Sequence, residues 1–188
     1  MGIGEVEKPP RRAVFLDRDG VLNRAVVRGG KPYPPASVDE FEILPDAREG
    51  VSILRRLGFW MCVVTNQPDV ARGTQDRVAI EAMHARLRDE LGLEIFYVCY
   101  HDDKDSCGCR KPKPGLLLNA AAEHELSLPR SYMIGDRWRD VDCGHAAACT
   151  TIFIDRGYAE ELRAQPDFRA RDLRAAAEII SSREGHSH

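Results

Sequence analysis

The feature that most constrains this chain is Ala13-Val14-Phe15-Leu16 followed at once by Asp17-Arg18-Asp19-Gly20. Four consecutive apolar residues read as a short strand buried on both faces, the kind that belongs in a parallel sheet. A core strand ending in carboxylates is costly unless a cation or a proton compensates them. Asp17 and Asp19 are two apart, so in an extended chain they leave the same side with Arg18 opposite. Gly20 lets the backbone turn away. In open α/β sheets, ligands occupy the crevice beyond the carboxyl ends of the strands. Asp17 is therefore a candidate nucleophile or metal ligand and Asp19 its helper. An ordinary Asp/Gly strand-end turn explains this stretch alone equally well.

The rest of the chain repeats the pattern. Residues 24–45 carry Gly29-Gly30, Pro32, Pro34-Pro35 and Pro45 and read as a long loop over the end of the first strand. A helix from about Asp46 to Leu57 stops at Gly58, and Phe59–Val64 is a second buried strand running into Thr65-Asn66-Gln67-Pro68. Thr74 caps a helix reaching Leu91, with Gly92 as its stop. A third strand spans Ile95–Tyr100, and Pro114 opens the next helix. Tyr132-Met133-Ile134 is a strand ending in Gly135-Asp136, followed by a helix near Asp140 to Ala148 and a strand at Thr151–Ile154. Past Gly157 lie a helix at Leu173–Ile180 and a frayed end, Gly185 to His188. Strands alternating with helices give an α/β class: a doubly wound, mostly parallel sheet with helices on both faces and right-handed crossovers. The 188 residues fit a single domain, with a core over about 13–157 and a tail over 158–188.

Bulk properties exclude several function classes. A net charge of -3 offers no basic footprint for nucleic acid. No apolar run approaches the length of a membrane span. Met1 to Arg12 is polar, with Pro9-Pro10 where a signal peptide would have its apolar core, which points to the cytoplasm. In that reducing compartment the six cysteines read as metal ligands or core packing rather than disulfides.

Three strands thus end in polar residues suited to the same chemistry. The first supplies Asp17 and Asp19, the second Thr65 and Asn66, the fourth Asp136. In a parallel sheet these ends share one edge. Asp17 with Asp136 makes an oxygen-rich site for a hard cation such as Mg²⁺. A Thr hydroxyl, backbone N–H groups, Arg110 and Lys111 suit phosphate oxygens. The set fits phosphoryl transfer by a carboxylate nucleophile. Taken singly, Thr65-Asn66 is also a helix cap and Gly135-Asp136 a turn. The loop Cys99-Tyr-His101-Asp-Asp-Lys-Asp-Ser-Cys107-Gly-Cys109 has the Cys₃His composition of structural zinc sites. Its last ligand is followed directly by Arg110-Lys111, so its expected purpose is to place those cations over the phosphate. Cys62, Cys143 and Cys149 read as core packing. Asp102, Asp103 and Asp105 read as a solvated acidic loop, His84 and His124 as surface residues and Trp60 as core, with Trp138 open.

Phe15-Leu16-Asp17-Arg18-Asp19-Gly20, Val63-Val64-Thr65-Asn66-Gln67, Cys109-Arg110-Lys111-Pro112 and Ile134-Gly135-Asp136-Arg137 resemble the four ordered motifs of the haloacid dehalogenase (HAD) superfamily of phosphatases, over about residues 13–157. The resemblance implies Asp17 as the nucleophile forming an aspartyl-phosphate, and Asp19 as the general acid and then the base. It implies Thr65 and Lys111 on the transferring phosphoryl group, and Mg²⁺ on Asp17, the Asp19 carbonyl and Asp136. The zinc loop makes the chain similar to the zinc-containing branch that includes heptose-bisphosphate and histidinol-phosphate phosphatases. The stretches from Val63 to Gly73 and from Cys109 to Leu118 look more like the heptose enzymes. That likeness puts Asn66, Gln67, Arg110 and Arg137 on substrate, with Arg110 on the second phosphate or the sugar. Pro68-Asp69 stands where the heptose enzymes usually carry Ser-Gly, and Lys113 also occurs in histidinol phosphatases. No insertion is long enough for a large cap domain, so an open pocket walled by residues 24–45 and the zinc loop is expected. The expected partner is a small phosphorylated sugar or metabolite, with no nucleic acid or membrane, and the chain acts as a monomer. Another class, a phospho-accepting signalling receiver, shares the doubly wound layout but carries its acceptor on a middle strand and needs no zinc.

Overall fold

The computed structural model describes residues 10–185. The N-terminal stretch through Pro9 and residues 186–188 of the end expected to fray lie outside them, while Gly185 closes a helix. The elements, in order, are β1 (Ala13–Leu16), β2 (Val26–Arg28), β3 (Lys31–Tyr33), α1 (Pro45–Arg56), β4 (Trp60–Asn66), α2 (Arg77–Leu91), β5 (Phe96–Cys99), α3 (Gly115–His124), β6 (Tyr132–Gly135), α4 (Trp138–Ala146), β7 (Thr150–Ile154), β8 (Phe168–Ala170) and α5 (Leu173–Gly185). Six strands form one sheet in the order β5-β4-β1-β6-β7-β8, and every neighbouring pair is parallel. β1 and β6 are at its centre, where an all-apolar strand is required because both faces are covered.

Alternation along β1 divides the core. Val14 and Leu16 face α1, α2 and α5, packing with Val51, Leu54, Met83, Leu87, Leu173 and Ile180. Ala13 and Phe15 face α3 and α4, packing with Leu116, Leu117 and Cys143. Full burial of a Leu or Phe side chain contributes about 1.5–3 kcal/mol, so these two layers carry the fold. Helices α1 and α5 approach closely through Gly50, where an added Cβ would lie 2.7 Å from Leu173 Cγ. The doubly wound reading is correct.

Several local expectations change. The stretch 24–45 is not wholly irregular: β2 and β3 form an antiparallel hairpin turned by Gly29 and Gly30 at φ of 56° and 75°, the left-handed pair that a two-residue hairpin turn requires. β4 continues past Val64 because Thr65 and Asn66 pair with Val98 and Cys99 of β5, so both polar residues are strand residues. Asp76, not Thr74, caps α2, accepting from Val78 N, while the Thr74 hydroxyl donates to Asp69 O. Pro114 occupies the cap position just before α3. Strand β8 is an addition to the expected elements, since Phe168-Arg169-Ala170 is too short and mixed to give a sequence signal. Helix α5 extends five residues past Ile180. No helix among the described residues is long and apolar enough to cross a membrane.

Candidate active site

The parallel arrangement brings the C-terminal ends of β4, β1 and β6 together, and a cavity of about 250 Å³ opens there. Asp17, Asp19, Thr65, Asn66, Arg110, Lys111 and Arg137 all line it. Lys31, Pro32 and Tyr33 of the hairpin and Asp103 and Arg110 of the Cys/His loop form its walls, as expected for a pocket made by loops.

Lys111 is the electrostatic hub. Its ammonium donates to Val64 O at 2.9 Å and Asp140 Oδ1 at 2.6 Å, and lies 2.9 Å from Asp17 Oδ1. Burial alone would pull its pKa down, but Asp140 and Asp17 outweigh that and raise it. Burial, then the Asp140 charge, pushes the Asp17 carboxyl up to about 6 against the pull of Lys111. Asp136 is raised well above the usual carboxylate range by burial and by the Asp17 and Asp140 charges. Three buried acids share one lysine, so the raised carboxyls tend to keep a proton unless a further cation takes its place.

One ligand atom each from Asp17, Asp136 and Asp140 lies within 4.8 Å of the others, a group that could hold a metal ion. Neither Asp136 oxygen has a well-formed hydrogen bond, although the Tyr158 hydroxyl interacts with its charge. A buried carboxylate whose one nearby donor, the Tyr158 hydroxyl, makes no well-formed hydrogen bond is what a metal ligand looks like without its ion. An all-oxygen set of this kind suits a hard cation. Asp140 is the residue that sequence reasoning missed. It approaches because Gly135 has no side chain: a Cβ there would fall 2.1 Å from Asp140 Cβ. The available signal was an acid three residues into α4; Asp140 Oδ2 accepts from Arg137 N at 3.0 Å and so caps that helix.

Two expectations about this edge need correction. Gln67 is fully buried and does not line the cavity; its amide donates to Asp19 Oδ2 at 2.8 Å and Thr65 Oγ1 at 2.9 Å, so it braces the site from behind. Arg18 does not point away from Asp19. The chain bends after Leu16, strand alternation lapses, and the Arg18 guanidinium folds onto the Asp19 carboxylate. Asn66 and Lys111 exchange two hydrogen bonds, Asn66 Nδ2 to Lys111 O at 3.0 Å and Lys111 N to Asn66 Oδ1 at 3.1 Å. This reciprocal pair locks the end of β4 to the segment that carries the lysine.

The register Asn66↔Cys99 sets the Cys/His loop beside this edge. Cys99, His101, Cys107 and Cys109 gather into a second group that could hold a metal ion, with Sγ–Sγ distances of 3.2–3.7 Å. Zinc–sulfur bonds of about 2.3 Å in a tetrahedron span such distances. Burial opposes ionisation of Cys107, but the backbone N–H of Arg110 and the neighbouring thiols pull it down to about 7, while burial raises Cys99 and Cys109; a zinc ion bound there would have to displace their protons. Asp102, Asp103 and Asp105 are more than a solvated run. Asp102 pairs with Arg72 at 2.6 Å, Asp103 with Arg110 at 2.7 Å, and Asp105 closes the short turn by accepting from Asp102 N. Arg137 pairs with Glu160.

The remaining expectations divide. Cys62, Cys143 and Cys149 are buried in packing positions. His84 is not on the surface: it is fully buried and stacked on Phe96 at 4.5 Å. His124 is half-buried against Trp60, whose ring lies 4.6 Å away, and Trp60, itself half-buried, packs against the core layer of α3. Trp138 lies between Arg139 and Arg163, at 4.7 and 3.4 Å from its ring centre.

Comparison with known proteins places this geometry. The HAD-hydrolase-like family matches residues 108–176. A D-glycero-D-manno-heptose-1,7-bisphosphate 7-phosphatase of Thermosynechococcus vestitus is 33% identical over 91% of this chain and 96% of its own. The chain belongs to the HAD-like hydrolases. A D-glycero-alpha-D-manno-heptose-1,7-bisphosphate 7-phosphatase of Mycobacterium tuberculosis is 37% identical over 75% of this chain and 78% of its own. The crystal structure of a D,D-heptose 1,7-bisphosphate phosphatase from B. bronchiseptica, complexed with magnesium and phosphate, superposes with a TM-score of 0.80 at 26% identity, covering 92% of this chain and 99% of that one. This HAD-like hydrolase is thus an enzyme of the phosphatase class, and the receiver reading falls away.

Proposed function

We propose that the enzyme removes the 7-phosphate of D-glycero-D-manno-heptose 1,7-bisphosphate in the presence of Mg²⁺. The observation that carries this is Asp17, held at the cavity floor by Lys111 beside two further buried acids, in a chain similar to heptose-bisphosphate phosphatases over nearly its whole length. Asp17 attacks phosphorus through a carboxylate oxygen. The bond from phosphorus to the C7 oxygen breaks, and that oxygen leaves with its electron pair and takes a proton from Asp19. Water then gives a proton to Asp19 and attacks the phosphorus of the aspartyl-phosphate, releasing phosphate and Asp17. A positioned acid and base of this kind contributes about a hundred- to ten-thousand-fold.

Thr65 and Lys111 hold oxygens of the transferring group, with Asn66 fixing the lysine's segment; Arg110 and Arg137 meet the second phosphate or the sugar. Asp17, Asp136 and the Asp19 carbonyl would hold the magnesium, with Asp140 at hand. When bound it neutralises charge on the phosphoryl oxygens and on the acids themselves. Cys99, His101, Cys107 and Cys109 would hold a zinc that fixes the loop carrying Arg110, a structural rather than catalytic role because protein fills all four positions.

Phosphate release should be measured with both anomers of the heptose bisphosphate and with histidinol phosphate, with Mg²⁺ present and then chelated. Turnover of a heptose bisphosphate that ceases on chelation and in Asp17→Asn is expected. A kcat/KM tenfold or more in favour of histidinol phosphate would sink the heptose assignment. Relatives carry both alpha- and beta-anomer names, so both anomers belong in the assay.

A further inference from the structure

Arg18 is the largest fully buried side chain among the described residues. A buried guanidinium is costly unless its donors are met, and here they converge on one group. Arg18 Nε lies 3.2 Å from both Asp19 oxygens, and Nη2 lies 3.0 Å from Oδ1 and 2.9 Å from Oδ2. The same carboxylate accepts from Asn23 Nδ2 at 2.9 Å on Oδ1 and from Gln67 Nε2 at 2.8 Å on Oδ2. Four donors on two oxygens leave the carboxyl group little freedom to rotate.

The guanidinium is itself held. Nη1 lies 3.4 Å from His84 Nε2, and the His84 ring is stacked on Phe96. Burial first, and the Arg18 charge next, push His84 down to about 4, so at neutral pH the ring carries no charge to repel the guanidinium. The Phe41 ring covers the guanidinium carbon at 5.9 Å. None of this machinery lines the cavity except Asp19 at its tip. A salt bridge that served stability alone would gain little from being placed on the one carboxylate that must meet the leaving oxygen. Buried ion pairs often add no net stability over apolar packing.

We propose that Arg18 is a positioning residue for Asp19: its buried fork fixes the carboxyl group where it protonates the departing alcohol, an inference that rests on the phosphatase reading above. Arg18 touches neither substrate nor metal. It acts through Asp19, and a misplacement of about 1 Å at such a group is enough to cost about a hundredfold. Lysine cannot replace it, because a point charge does not impose the plane that a bidentate fork imposes.

The test compares two esters in wild type, Arg18→Met and Arg18→Lys, with Mg²⁺ present. One is the alkyl phosphate that the wild type hydrolyses best; the other is p-nitrophenyl phosphate, whose leaving group departs as a stable anion and needs no proton. The readout is kcat/KM, which reports only the steps through loss of the leaving group. Arg18→Met should lose about a hundredfold or more on the alkyl ester and less than about threefold on the aryl ester. Arg18→Lys should show the same split at smaller size. Equal losses on both esters, or none on the alkyl ester, in a variant whose circular dichroism is native would overturn the positioning role and leave the phosphatase reading standing. Should Arg18→Met fail to fold, an unchanged alkyl-to-aryl ratio in Arg18→Lys overturns it in the same way. A wild-type protein that hydrolyses neither ester overturns both readings.

Discussion

Asp140 Oδ1 lies 2.6 Å from Lys111 Nζ, and both side chains are almost wholly buried. This contact joins the start of α4 to the segment after the Cys/His loop. It also gives Lys111 a second anionic partner besides Asp17. On the proposed mechanism the lysine then faces the reacting group without being held by Asp17 alone.

Asp140→Ala removes one partner of a buried pair and leaves the other short of compensation. Such a loss costs about 3–5 kcal/mol. Urea unfolding should show a destabilisation of that order, and phosphatase activity should fall at least about a hundredfold because Lys111 is no longer held. Wild-type stability in Asp140→Ala would show that the pair carries no weight.

With Asp17 as a metal ligand, as proposed, its raised carboxyl makes metal binding pH-dependent. Its folded value of about 6 lies above the ordinary 3.8, so the folded, metal-free protein holds this proton more tightly than the unfolded chain does. That contribution to stability is complete below about pH 3.8 and is lost as pH rises through about 6. A bound cation requires the deprotonated acid. The rise in melting temperature on adding Mg²⁺ to chelator-treated protein should therefore grow between about pH 5 and about pH 7. A pH-independent rise would contradict the assignment of Asp17 as a ligand.

Gly20→Ala should disable the site through shape alone. Gly20 has a φ of +88°, and an added Cβ would lie 1.7 Å from Asp136 Oδ2. Either the turn or the carboxylate must move. Mg²⁺ affinity measured by calorimetry should fall at least about tenfold, as expected for disturbance of a ligand, with activity falling further.

Cys109→Ser should abolish stoichiometric zinc in elemental analysis and lower the melting temperature. The Asp103–Arg110 pair belongs to the same loop, so KM for the bisphosphate should rise about tenfold or more, the size of one lost charge-assisted contact. Zinc retained in Cys109→Ser would remove this residue from the ligand set.

What could be read in the chain by itself was whatever depends on near neighbours. The apolar run Ala13–Leu16 is a core strand, and its acids read as a candidate site rather than a plain turn only because Thr65, Asn66 and Asp136 close other strands in the same way. The density of cysteine and histidine between Cys99 and Cys109 announced the second group that could hold a metal, because ligand spacing is local. Tertiary structure alone decided the rest. Arg18 turns onto Asp19 because the strand ends at Leu16 and alternation no longer governs direction. Gln67 faces inward, and His84 is buried under Phe96, because β4 runs two residues further and α2 packs over β5. Asp140 enters the site only because Gly135 leaves room for it. Each of these is a contact between groups whose separation is set by the packing of whole elements. Sequence spacing carries that information only after the elements have been docked.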